Sequence, residues 1–107
     1  MTMFAQLQAI GADSPELCTK LKGMFLDQAP EHLTNIGQAI EQQEADTAKK
    51  VTHTFKGVCL NLGADDMGKT CKAIEEAWLA NDFAQAKTLH DTLQTQFNEA
   101  KAFLATL

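Results

Sequence analysis

Apolar residues recur three and four positions apart along most of this chain, and no strand signal competes with that spacing. Tyr is absent, and no Asn-Gly or Asp-Gly pair marks a tight hairpin. A chain patterned in this way buries itself by packing helix on helix. The first segment, about 2–10, places Phe4, Leu7 and Ile10 on one side and is expected to stop at Gly11. Asp13 or Ser14 can cap a second helix with Pro15 in its first turn. Its apolar steps run through Leu17, Leu21, Met24 and Phe25, pass Pro30, and resume at Leu33, Ile36 and Ile40. We read one long helix from 15 to about 43, bent at Pro30.

A third segment, about 45–62, carries Ala48, Val51, Phe55, Val58, Cys59 and Leu62, and Gly63 fits its end. Asp65 is expected to cap a fourth helix, with Met67, Cys71, Ile74 and Trp78 on its apolar side. Asn81 and Asp82 supply a stop and a new cap. The last helix, about 83–106, carries Ala86, Leu89, Leu93, Phe97, Ala100 and Leu104. Four amphipathic helices on short turns pack as an antiparallel four-helix bundle, with the short first helix across one end.

At 107 residues this fits one all-α domain covering 1–107. The longest apolar runs are a few residues, too short to span a membrane. The N-terminus lacks the basic start and long apolar run of a signal peptide, so a cytoplasmic protein is expected. The starting Met and the length favour a free-standing protein. Cys18, Cys59 and Cys71 are odd in number and far apart, which argues against a disulfide framework or a zinc knuckle and for small buried residues.

The net charge is −5 and the chain has no Arg, so nucleic acid is not the expected partner. The charge is uneven. Lys49, Lys50, Lys56, Lys69 and Lys72 crowd into 49–72, where the only acids are Asp65 and Asp66. An acidic protein thus carries a local basic region, and His53 is inside it.

At about 100° per residue, with Val51 set at zero, the apolar residues of the third helix cluster near roughly 30° and His53 falls near roughly 200°. The imidazole therefore faces water. Lys49 and Gly57 stand four residues from it, Lys56 three, and Leu60 lies one turn beyond Gly57 on the same side. Glycine inside a helix costs roughly 1 kcal/mol relative to alanine. Its missing side chain would let another protein come close to the ring. The lysines suit an anion: Lys56 can offset a phosphoryl group through a charge-assisted hydrogen bond. Nearby cations also favour the neutral imidazole, which is the nucleophile. Read without a ligand, the same residues are a solvated basic helix face.

The stretch "HTFKGVCLNLGADDMGKTCKAIEE" resembles the signature of histidine-containing phosphotransfer (HPt) domains of bacterial phosphorelays. The matching residues are His53, Phe55, Lys56 and Gly57, then Asn61, Leu62, Gly63 and Ala64, then Glu75. The upstream "MFLDQAPEHLTNIGQAIEQQEADTAKKVTH" is similar to the family's preceding helix, Pro30 included, and the resemblance covers roughly 15 to 105. It departs at Val58, where many members carry a small Ser or Ala; the helical wheel turns Val58 inward.

The resemblance implies a bundle whose exposed histidine, here His53, accepts a phosphoryl group. Lys56 would assist that group, Gly57 would admit the partner, and Glu75 would orient the ring or its phosphoryl group. The protein would be a carrier and not an enzyme, with no ATP site and no cofactor of its own. No Gly-rich phosphate loop occurs. The phosphoryl group would arrive from, and leave to, an aspartate of a response-regulator receiver domain, which brings its own Mg²⁺; a hybrid sensor histidine kinase is the other implied partner. A monomer is expected. Lys49, Leu60, Phe25 and Leu26 are docking candidates, although Phe25 and Leu26 suit the core equally well.

Two other readings fit the same chain. His32 and His90 could join His53 around a metal, but bundle metal sites use inward Glu-x-x-His pairs, and none occurs. A helical module could also dock to a kinase or receiver and inhibit it without carrying phosphate.

Overall fold

The computed structural model describes residues 3–107, and all regular structure in them is helical. The helices are α1 (Ala5–Asp13), α2 (Pro15–Glu41), α3 (Ala45–Leu62), α4 (Asp65–Leu79) and α5 (Phe83–Leu104). None is long and apolar enough to cross a membrane.

The predicted start of the first helix at residue 2 lies outside the described residues. Its predicted stop at Gly11 is corrected: α1 runs on to Asp13, and the Ser14 N–H closes it on the Ile10 carbonyl at 2.7 Å. Gly11 serves close packing instead. A Cβ there would stand 3.1 Å from the Cys18 sulfur of α2.

The Ser14 hydroxyl caps α2 by accepting from the Leu17 N–H, and Pro15 occupies the first turn. Pro30 sits inside α2 without ending it, with no N–H to offer the preceding turn. The buried row of α2 is Phe25, Ala29, Leu33, Ile36, Ala39 and Ile40. Leu17 and Met24, expected on the apolar side, are 45% and 44% exposed. They stand roughly 105–130° around the helix from the buried row, so the core cannot reach both sets.

Gly63 ends α3 with φ 90°, the Ala64 N–H returning to the Cys59 carbonyl at 2.8 Å. A side chain at 63 would also press into α1, since a Cβ would come within 2.8 Å of the Ala5 nitrogen. Phe4, fully buried, donates its N–H to the Gly63 carbonyl at 3.0 Å, which seats α1 beside this turn. Asp65 is not the cap of α4 but its first residue. Ala64 takes the cap position, and Asp65 and Asp66 place their charges in the first turn, where the helix dipole favours anions. Asp82 caps α5 as expected, accepting from the Gln85 N–H at 3.0 Å.

α3 packs on α2 and α4, α5 packs on α2 and α4, and α1 lies against α2 and α3. The centre is aromatic: Phe25 stacks on Phe55 at 6.4 Å, tilts onto Phe97 at 5.9 Å and meets the edge of Phe4 at 5.6 Å.

Candidate functional site

α3 directs Ala48, Thr52, Phe55, Cys59 and Leu62 into the core. The same periodicity turns His53 out, and its side chain is 71% exposed. Gly57 has open space where a Cβ would stand. Lys49 is exposed, and Leu60 is 43% exposed. The outward face of α3 is therefore a row of one ammonium group, the imidazole, a bare stretch of backbone and an apolar side chain.

The neighbouring helix completes this face. Glu75 of α4 places Oε1 3.0 Å from Lys56 Nζ and Oε2 3.6 Å from His53 Nδ1. Glu75 Oε1 is out of contact with water and has no aligned hydrogen bond, so its counter-charge is the ammonium at 3.0 Å. Lys56 departs from expectation here. Its side chain is 22% exposed, as is that of Glu75. The lysine stem lies down towards α4, and only part of it reaches solvent. The carboxylate is thus shared: one oxygen holds the lysine and the other faces the ring, just beyond hydrogen-bond length.

The docking candidates divide. Phe25 is 2% exposed and belongs to the core, so its docking assignment is corrected: its stacking on Phe55 and tilt onto Phe97 leave no face for a partner. Leu26 is half-buried against the same core. Leu60 lies over the backbone of α4 at Gly68, where a Cβ would come within 2.5 Å of its Cδ2. The sequence reading passed over Gly68, where the missing side chain makes room for Leu60. It also passed over Leu79, which is 70% exposed.

The other histidines have packing roles. His32 is half-buried and stacks on the Phe55 ring at 5.1 Å. His90 Nε2 donates to the Leu33 carbonyl at 2.8 Å, and its ring fills the space left by Gly37. Among the described residues, no three His, Cys, Asp or Glu side chains are grouped to hold a metal ion.

A cleft of about 580 Å³ between α2 and α5 runs past Gly37 and His90 and does not reach His53. The His53 ring stands on an open helix face, 71% exposed.

The family model for the Hpt domain matches residues 20–103 of the chain. Searches of curated proteins and of solved structures return no match.

Proposed function

Because the chain belongs to the Hpt domain family, we propose that His53 is its phosphoryl-carrying residue. Hpt domains take part in histidine phosphotransfer in phosphorelays, as carriers rather than catalysts, and interact with receiver domains and histidine kinases. The observation that carries the reading is the 71% exposure of His53 directly above a paired lysine and glutamate.

The ring of α2 to α5 is read as the family's antiparallel four-helix bundle. Two contacts support this. His53 and Lys56 meet Glu75, whereas Leu60, further along α3, meets Gly68, earlier in α4.

The transfer step follows from the two ring nitrogens. Nδ1 faces Glu75 Oε2, and a proton on Nδ1 leaves the Nε2 lone pair free. That lone pair attacks the phosphorus of an aspartyl phosphate on a receiver domain. The N–P bond forms as the P–O bond breaks, and the aspartate leaves as a carboxylate with the bonding electron pair. The ring, now substituted at both nitrogens, carries positive charge that the Glu75 carboxylate offsets. Lys56 can exchange Glu75 for the phosphoryl oxygens, since both are anions within reach of one ammonium. Gly57 leaves the approach clear. Transfer onward to a second receiver aspartate is the same step reversed. The Mg²⁺ that offsets phosphoryl charge is the receiver's, and the relay is placed in the cytoplasm.

The test incubates the protein with receiver domains carrying labelled phosphate. Acid-labile, base-stable label on the parent protein, absent from His53→Gln, is the expected result. Binding without label would instead make this a docking or inhibitory module.

A further inference from the structure

α4 carries a narrow row along the edge it shares with α3, buried at Gly68 and exposed at Lys72 and Leu79. Gly68, Lys72, Glu75 and Leu79 stand at i, i+4, i+7 and i+11, within about 60° of one another. Leu60 of α3 occupies the space above Gly68. Lys72 is exposed, and Glu75 holds Lys56 and faces His53. The row ends on Leu79, which at 70% exposure stands well clear of the other large exposed apolar side chains among the described residues, at 43% to 45%.

A single exposed leucine is ordinary on a protein surface. Leu79 differs by its place. It lies one turn, about 6 Å, beyond Glu75, on the side away from Gly68. Leu60 lies about 10 Å along α3 from His53 in the opposite sense. The imidazole is therefore bracketed by two exposed leucines, with Lys49, Lys56 and Lys72 around it. The chain as a whole is acidic, with a net charge of −5.

We infer that Leu79 and Leu60 are the two apolar anchors of the receiver docking surface, which therefore extends across α3 and the C-terminal half of α4. The inference rests on the carrier reading of His53. The occupant is a receiver domain because the face is continuous with the reactive ring and complementary in charge to an aspartyl phosphate in an acidic surround. The lysines speed the encounter, and the leucines lose water only once the two surfaces meet in register. Leu79 touches no reacting atom and is a specificity-determining contact.

The experiment uses the whole chain and the receiver domain of the source organism that transfers to it fastest, charged with acetyl phosphate. Leu79→Glu places a carboxylate against an acidic partner and is expected to slow transfer at least about tenfold. Leu17→Glu, at an exposed leucine near the start of α2, is the control and should transfer at the parent rate. Phosphoramidate, a small donor with no surface to dock, should label His53 equally in all three proteins. Parent-rate transfer by Leu79→Glu, or equal slowing by Leu17→Glu, overturns the anchor assignment while the label on His53 leaves the carrier reading standing. Failure of phosphoramidate to label His53 in the parent protein overturns both.

Discussion

Lys56 and Glu75 are joined at 3.0 Å across the seam between α3 and α4, and the second oxygen of the same carboxylate stands 3.6 Å from Nδ1 of the exposed His53. One carboxylate thus holds the lysine and faces the ring, the two groups that a phosphoryl transfer would use.

Removing the lysine tests its half of this arrangement. Lys56→Ala is expected to slow transfer by about tenfold to a hundredfold, since a charge-assisted hydrogen bond is worth about 1.5–3 kcal/mol. The stability cost is about 1–3 kcal/mol, because the Glu75 oxygen that is out of contact with water loses its counter-charge. Transfer at the parent rate in a stopped-flow or gel assay would remove Lys56 from the chemistry.

Glu75→Gln keeps the shape and removes the charge. The imidazole is largely in water, so the lost attraction is on the order of 1 kcal/mol at 3.6 Å, or about fivefold in transfer rate. The double variant Lys56→Met with Glu75→Leu should regain stability, because neither charge is left without its partner. It should not regain transfer. Recovery of both together would mean that the pair is structural and nothing more.

Two glycines should respond in opposite directions to the same change. A Cβ at Gly57 meets nothing within 4 Å, so Gly57→Ala should stabilise the protein by up to about 1 kcal/mol through helix propensity. A Cβ at Gly37 would stand 2.8 Å from His90 Cε1, and that ring is held by its bond to Leu33, so Gly37→Ala should lower the melting temperature. Calorimetry of the two variants decides this. Gly57→Leu should leave the fold intact yet impair receiver transfer, and an unchanged rate would show that the bare backbone at 57 is not used for docking.

Cys59 and Cys71 are both fully buried, and hydrogen bonding to Cys71, then burial, then the electrostatics of the same neighbour push the Cys59 thiol well above its ordinary value of 9.0. Below that pH both folded and unfolded chains keep the proton and nothing is lost. Above it the unfolded chain ionises while the folded one cannot, so stability falls, by up to about 1.4 kcal/mol per pH unit. Urea midpoints measured between about pH 8 and about pH 10.5 should fall less steeply for Cys59→Ala than for the parent protein. Parallel curves would show that this thiol does not drive the loss.

The outward direction of His53 was readable from the chain because a helix turns by a constant angle per residue. The apolar row of α3 specifies, without any knowledge of neighbours, which residues it cannot bury. For the same local reason Ser14, Gly63 and Asp82 marked helix ends correctly, as caps and turns act within a few residues. Glu75 was within reach only through the family resemblance, since no local pattern connects it to a histidine on another helix. Packing decided the rest. Phe25 rather than Met24 entered the core because only one side of α2 meets Phe55 and Phe97. Gly11 continued a helix it was expected to end because α1 needed a close approach to Cys18. Lys56 turned from solvent to Glu75, and Leu79 became one end of a face instead of an isolated leucine. Each of these outcomes depends on which helix lies alongside, and that choice is made by the burial of the whole apolar surface at once, not by any one segment's periodicity.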